Sequence, residues 1–171
     1  MNKKTRALTL SALLTALTVA ALYIALLLPP WRESIAALAS VFTAAAVIEL
    51  GLRRGIYVYV ASSLLAILIL PTPIASLAYI VFFGYYPIVK SLIERLRSAI
   101  LRWALKIGVF LAALTIYWRL ITTIFIDDSL RELPGFLFIA LGGAVLMVVF
   151  DYGFTKVIWL YINRVSKYVK R

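Results

Sequence analysis

The 171-residue sequence contains no cysteine and no histidine, and only seven of its residues are aspartate or glutamate. The absence of cysteine excludes disulfide bonds, thiolate nucleophiles and cysteine-bound metals. The absence of histidine removes the commonest metal ligand and the usual general base at neutral pH. We therefore expect no metal site and no cofactor.

The sequence also lacks the short motifs of common enzyme classes. It has no G-x-x-x-x-G-K-[ST] phosphate loop, no H-E-x-x-H zinc motif and no G-x-S-x-G nucleophile motif. Asp127 and Asp128 are adjacent, but they belong to a polar stretch and not to an apolar segment. We therefore expect no catalytic residues and a protein that is not an enzyme.

Apolar side chains, in contrast, are abundant. Hydrophobic residues make up 64% of the chain and charged residues 15%, and the mean hydropathy is +1.02. A soluble domain has about 45–50% apolar and about 25% charged residues, so the excess apolar surface must face lipid. The sequence predicts an all-α, multi-pass protein of the cell membrane, with residues 1–171 forming a single membrane domain.

A helix needs about 20 residues to cross the hydrocarbon core of a bilayer. The predicted spans are residues 7–28, 34–52, 55–70, 74–89, 104–126 and 136–160. The third and fourth are short and are joined by the turn "PTP", so a re-entrant hairpin is the alternative for this pair. Both interpretations return the chain to the same side of the membrane and leave the predicted orientation unchanged.

Lysine and arginine are concentrated at one set of span ends. That set comprises Lys3, Lys4, Arg6, Arg53, Arg54, Lys90, Arg95, Arg97, Arg102, Lys106, Arg164, Lys167, Lys170 and Arg171. The opposite ends carry Arg32 and Arg131 beside Glu33, Asp127, Asp128 and Glu132. The positive-inside rule therefore predicts that both termini are cytoplasmic. It also explains the net charge of +11 without a nucleic-acid partner.

The segment "KSLIERLRSAILRWALK", residues 90–106, lies between the fourth and fifth predicted spans. Its apolar positions Leu92, Leu96, Ala99 and Trp103 follow helical spacing, whereas most of its basic positions fall off that stripe. The pattern predicts a basic amphipathic helix in the cytoplasmic interface. Contact with membrane lipids and docking of a protein partner are both open for this helix.

Two acidic residues lie inside predicted spans, near their cytoplasmic ends. Glu49 precedes Arg53 by four residues, which is a favourable order for an ion pair on one helix. Asp151 precedes Lys156 by five residues, which is a poorer spacing. We expect both acids to pair with neighbouring cations.

Arg119 is the exception in the fifth span, because from Ile107 to Ile126 it is the single charged residue. At 1.5 Å per residue it lies roughly 12 Å below Asp127. Its side chain can extend outward toward Asp127 and Asp128. The alternative is a substrate site, since charges within spans often mark substrate paths and a guanidinium suits carboxylate or phosphate.

The neighbours of Arg119 favour the substrate interpretation. Thr115 and Thr122 share its helix face and supply hydroxyls, while Trp118 points elsewhere around the helix and can stack on a ring. Trp31, in the loop after the first span, is a further aromatic candidate. The predicted substrate-binding residues are therefore Arg119, Thr115, Thr122, Trp118 and Trp31.

The first span contains a stripe of small residues. Ala12, Ala16 and Ala20 repeat every four residues, which leaves a smooth surface that another helix can approach closely. Packing within this protein and docking of a partner subunit are both open for this stripe.

Together these features resemble the substrate-binding S components of energy-coupling factor transporters. Those are small six-helix membrane proteins with both termini inside, and the motif carrying the resemblance is the stripe in "ALLTALTVA". The resemblance implies capture of a vitamin-like or other small micronutrient from outside. It also implies docking of a transmembrane coupling subunit, with ATPase subunits as the source of energy. The loop "PPWRES" is short for the substrate lid that the family would use.

A scaffold without transport activity is the alternative. Rod-shape-determining membrane proteins of the MreD type have a similar size, a similar number of helices and basic cytoplasmic ends. Under this alternative Arg119 is structural, and the basic segment 90–106 recruits partners.

The predicted orientation can be tested by cysteine labelling from the two sides of the membrane. Single cysteines replacing Ser129 and Ser166 are expected to react from opposite sides, with position 129 labelled from outside. Labelling of both positions from the same side would contradict the orientation.

Overall fold

A computed structural model describes residues 2–71, 74–125 and 133–166 of the chain. Its α-helices are α1 (Lys3–Leu27), α2 (Arg32–Leu50), α3 (Leu52–Ile69), α4 (Ile74–Ala78), α5 (Tyr86–Ile93), α6 (Ala99–Phe125) and α7 (Leu133–Leu160). A 3₁₀ turn (Pro29–Trp31) precedes α2, and π-helical segments follow α4 (Tyr79–Phe83) and α7 (Tyr161–Val165). The predicted all-α class is confirmed for these residues.

Among the described residues, six helical stretches are long and apolar enough to cross a membrane. They are Lys4–Leu27, Pro29–Leu50, Leu52–Ile69, Ser76–Ile93, Ala99–Thr123 and Gly142–Arg164. The predicted number of spans is therefore confirmed by length and composition. The third and fourth stretches have 18 residues each, which is within the usable range for a full span.

The predicted amphipathic helix over residues 90–106 is not present as a separate helix. α5 ends at Ile93 and α6 begins at Ala99, so residues 94–98 form a short connection between two spans. The hydroxyl of Ser98 accepts a hydrogen bond from Leu101 N at 3.4 Å and caps the start of α6. The prediction was wrong because Lys90 and Lys106, taken as surface cations, both point into the bundle and belong to the spans themselves.

Helices α1, α2 and α3 all pack against one another. The buried side chains of α2 are all small. They are Ala36, Ala39, Ser40, Thr43, Ala44, Ala45 and Ala46. Small side chains let neighbouring helices approach closely. Gly51 alone joins α2 to α3, with a φ of +87° that residues with a Cβ rarely adopt. This reversal makes α2 and α3 antiparallel neighbours.

The fourth stretch, formed by α4, the first π-helical segment and α5, lies at the centre of the bundle. Half of its 18 residues are buried, whereas 11% are buried in the most apolar part of the fifth stretch and 17% in that of the sixth. It packs on α2 and α3 on one side and on α6 on the other. Among their described side chains, the outer helices α6 and α7 leave many apolar groups exposed, as expected for helices that face lipid.

The two ends of the bundle differ in charge. We call the basic end the one that contains the start of α1, the α2–α3 junction, the α5–α6 connection and the end of α7. Exposed or partly exposed cations on it are Lys4, Arg6, Arg53, Arg54, Arg95, Arg97, Arg102 and Arg164. Asp127, Asp128, Arg131 and Glu132, predicted for the opposite end, lie outside the described residues. Assignment of the basic end to the cytoplasm stays a prediction. Because Ser166 is buried, the cysteine for its labelling test belongs at the exposed position Arg164 on the same end.

Candidate functional site

The central fourth stretch is interrupted in its middle. Gly84 N donates to Tyr79 O at 2.6 Å, a five-residue separation that defines the π-helical segment. Pro87, in the first turn of α5, has no N–H to continue an α-helical ladder. A Cβ on Gly84 would lie 2.7 Å from the Tyr59 ring and 2.8 Å from the Tyr79 ring, so glycine is required there. Interrupted helices and π-segments recur at functional sites of membrane proteins.

A hydroxyl cluster surrounds Tyr79 in the interior. The Tyr79 hydroxyl shares hydrogen bonds with Thr43 Oγ1 at 2.8 Å and with Ser62 Oγ at 2.9 Å, and it also interacts with Thr18. All four side chains are fully buried. They come from α1, α2, α3 and the π-segment, so one phenol connects four helices. Uncharged hydroxyls can bind a polar neutral group, but they supply no activated nucleophile.

The π-segment is supported by a second phenol. Tyr59, on α3, donates from its hydroxyl to Ile80 O at 2.8 Å. Backbone carbonyls released by a change of helical register must find another donor in an apolar environment. Tyr59 supplies that donor and fixes α3 against the interruption.

An aromatic layer lies below the hydroxyl cluster and joins the fourth stretch to the outer helices. Its members are Phe82, Phe83, Tyr86, Phe110, Phe150 and Phe154. Phe82 meets Phe110 edge to face at a centroid distance of 5.4 Å, and Phe150 stacks on Phe154 at the same distance. Aromatic pairs of these geometries contribute about 0.5–1.5 kcal/mol each beyond area burial. The layer fixes α6 and α7 against the centre.

A buried ion-pair network lies at the basic end of the bundle. We define the network as Lys90, Glu94, Lys106 and Asp151. Lys106 Nζ donates to Asp151 Oδ2 at 2.8 Å, and Lys90 Nζ donates to Asp151 Oδ1. Glu94 Oε1 lies 3.0 Å from Lys90 Nζ and 3.3 Å from Lys106 Nζ. The network therefore connects α5, α6, α7 and the α5–α6 connection.

Two hydroxyl groups form further hydrogen bonds with the network. Tyr86 donates to Asp151 Oδ1 at 2.5 Å, and Lys90 Nζ also contacts Thr155 Oγ1 at 2.9 Å. Lys90, Asp151 and Lys106 are only 3%, 4% and 6% exposed. An isolated buried ion costs several kcal/mol, and pairing must offset that cost. Two ammonium groups and two carboxylates cancel in formal charge, so the network is balanced as it stands.

Lys90 and Lys106 were not predicted as interior residues, and neither was the role of Tyr86. The sequence indicates their interior position only weakly, because each lysine lies at the edge of an apolar segment and beside other basic residues, as a cation in a loop also would. Their partner Asp151 is 61 residues from Lys90 and 45 residues from Lys106 along the chain. Hydropathy places residues along a helix, but it does not fix how separate helices are rotated toward each other.

The predicted pairing with cations is confirmed for Asp151 and wrong for Glu49 among the described side chains. Asp151 pairs with cations, but Lys156 instead lies over the Tyr152 ring at 5.4 Å. Glu49 makes no ion pair with Arg53 among the described side chains, and its buried Oε1 has no hydrogen-bond partner there. The helical i, i+4 geometry fails because Gly51 separates α2 from α3, so Glu49 and Arg53 lie on different helices.

The predicted substrate-binding residues lie on or near α6 as follows. Arg119 and Thr115 are exposed, and Trp31 is 64% exposed at the start of α2. Thr115 Oγ1 donates to Leu111 O at 2.8 Å, whereas the buried Thr122 donates to Trp118 O at 2.9 Å. The two threonine hydroxyls thus bond within their own helix. The role of these five residues in substrate binding stays a prediction.

A polar contact near these residues joins α6 to α2. Tyr117, next to Trp118, donates from its hydroxyl to Glu33 Oε1 at 3.0 Å. The contact was not predicted from the sequence, because Glu33 and Tyr117 are 84 residues apart. It brings Tyr117 within hydrogen-bond distance of the start of α2, which follows Trp31.

The alanine stripe lies on the outside of the bundle. Ala12, Ala16 and Ala20 are all exposed. The inward face of α1 is instead formed by Leu14, Thr18, Leu22 and Ala25, which are buried. The stripe is therefore not used for packing against the described helices of this chain.

Comparisons with protein-family models, with curated proteins and with solved structures give no match to this chain. The function is therefore argued from the residues themselves.

Replacement of Asp151 by asparagine is expected to destabilise the protein by about 3–5 kcal/mol, because Lys90 and Lys106 would remain buried with Glu94 as the one remaining carboxylate of the network. The measurement is the free energy of unfolding in mixed micelles, with circular dichroism used to monitor the unfolding.

The matched control for this measurement is Lys156→Gln on the same helix, since Lys156 is exposed and makes no ion pair with Asp151 in the described structure. It is expected to change the free energy of unfolding by less than about 0.5 kcal/mol. Equal stability of Asp151→Asn and the wild type would contradict the assigned network.

Proposed function

We propose that this protein is a membrane-embedded subunit that docks a second membrane protein through the alanine stripe of α1. Within that class we propose the substrate-capture subunit of an energy-coupling-factor-type uptake transporter for a vitamin-like or other small micronutrient. The observation that carries the proposal is the exposure of Ala12, Ala16 and Ala20. A stripe of this kind has its use in contact between helices, and the described helices leave it uncovered.

The protein itself shows what small residues do in this bundle. On α2 they are buried and bring α1, α3 and the fourth stretch close together. The stripe on α1 also consists of small residues, but it lies beside Leu13 and Leu17, whose side chains are 53% and 40% exposed. The smaller alanines beside these leucines form a shallow groove. A transmembrane helix of a coupling subunit can enter such a groove and gain close van der Waals contact.

Two features support a transport role over simple anchoring. The central helix is interrupted beside the hydroxyl cluster, an arrangement that recurs where transporters bind substrate. The predicted substrate-binding residues Arg119, Thr115, Thr122, Trp118 and Trp31 belong to the end opposite the basic end, which would face outward under the positive-inside rule. In this proposal the chain resides in the cell membrane with both termini in the cytoplasm. Partner ATPase subunits supply the energy, since the sequence has no phosphate loop.

The MreD-like scaffold is the second candidate, and a specific observation favours it. Arg119 is exposed and the hydroxyls of Thr115 and Thr122 bond within α6, so these groups are not gathered around an enclosed volume in the described structure. A scaffold needs a docking surface but no substrate site. The alanine stripe serves that role equally well, with a different partner.

Ala16→Leu is expected to lower recovery of the partner during purification from native membranes by about 5- to 150-fold. The added methylenes would fill the groove and cost about 1–3 kcal/mol at a close helix contact. The isolated variant should keep its thermal stability, because Ala16 is exposed. The readout is mass-spectrometric quantification of the proteins that co-purify with the tagged full-length chain.

Ala112→Leu is the matched control, since Ala112 is an exposed alanine on α6, and it should leave recovery unchanged. Loss of ATP-hydrolysing subunits with Ala16→Leu supports the capture subunit, and loss of cell-envelope assembly proteins supports the scaffold. Recovery of the same partners by wild type and Ala16→Leu would contradict docking through the stripe.

A further inference from the structure

The arginines around the α5–α6 connection carry uncompensated charge. Arg95 and Arg97 are exposed and Arg102 is partly exposed, and none of them forms an ion pair with a described residue. The nearest acids are already committed, because Glu94 and Asp151 pair with Lys90 and Lys106. The ion-pair network therefore neutralises the interior and leaves a positive surface directly beside it.

Apolar side chains are interleaved with these arginines. Leu92, Ile100 and Trp103 are 44%, 84% and 40% exposed, and the Lys106 ammonium lies 5.2 Å from the centroid of the Trp103 ring. Exposed leucine and isoleucine are unfavourable in water, whereas tryptophan is enriched where headgroups meet acyl chains. Cations and apolar groups in one short segment suit that boundary layer.

We propose that this connection surface, formed by Arg95, Arg97 and Arg102 with Leu92, Ile100 and Trp103, binds the headgroups of anionic phospholipids. Each guanidinium can offer two parallel hydrogen bonds to a phosphate. Exposed Leu92 and Ile100 lie next to them and contact the upper acyl chains. An acidic protein would match the charge, but it would not account for the exposed apolar side chains at the ends of two spans.

The surface goes beyond the docking function proposed for α1 and does not depend on it. It lies on α5, α6 and their connection, whereas the alanine stripe lies on α1.

The test is native mass spectrometry of the full-length protein released from vesicles made of equal parts phosphatidylcholine and phosphatidylglycerol. Wild type is expected to retain phosphatidylglycerol in preference to phosphatidylcholine. The Arg95→Gln/Arg97→Gln double variant is expected to lower retained phosphatidylglycerol by about 30-fold, since each cation near an anionic surface contributes about 1 kcal/mol. Arg95→Lys/Arg97→Lys keeps the charge and loses the paired hydrogen bonds, so its loss of retention should be clearly smaller than that of the glutamine variant, which separates loss of charge from misfolding.

The charge-matched control is Arg53→Gln/Arg54→Gln at the α2–α3 junction, on the same end of the bundle. It should lower retention by much less than the variant at the connection. Equal loss in the two double variants would overturn the proposal, because retention would then follow net charge and not this surface. Equal retention of both lipids by wild type would overturn it as well.

Discussion

The pairing of Asp151 with Lys90 and Lys106 is the interaction on which the rest of the structure depends. Three charges that are almost fully buried can persist in an apolar bundle only when each has a partner within hydrogen-bond distance. That requirement fixes how α5, α6 and α7 are rotated toward one another. It also keeps two lysines away from the surface, so that the exposed cations of the α5–α6 connection are arginines.

Two kinds of packing meet at the fourth stretch. On one side, α1, α2 and α3 approach closely through small residues and share the hydroxyl cluster around Tyr79. On the other side, α6 and α7 are held by the aromatic layer and by the ion-pair network. The interruption at Gly84 and Pro87 lets one stretch present Tyr79 to the first group and Tyr86 and Lys90 to the second. Because α1 packs through only one of its faces, its alanine stripe stays exposed among the described helices.

The sequence predicted the features that depend on composition along the chain and missed those that depend on helix rotation. The six spans follow from hydropathy, and the structure confirms their number. The prediction of one helix over residues 90–106 was wrong, because the same apolar spacing also occurs where one span ends and the next begins. The Glu49–Arg53 pair failed because Gly51 reverses the chain between them. Whether the stripe at Ala16 faced inward could not be decided from spacing, since Leu14 and Thr18 repeat with the same period on the opposite face. The proposed role of Arg119 depends on its surroundings in the same way and stays a prediction.

The most direct test of this account is a double-mutant cycle on Asp151 and Lys106, built from Asp151→Asn, Lys106→Met and the double variant. The quantity measured is the free energy of unfolding in mixed micelles for the four proteins. If the two side chains pair in the interior, removing Lys106 should cost less in the Asp151→Asn background than in the wild type, with a coupling energy of about 0.5–3 kcal/mol. Effects that add to within about 0.5 kcal/mol would contradict the pairing and the arrangement of α5, α6 and α7 built on it.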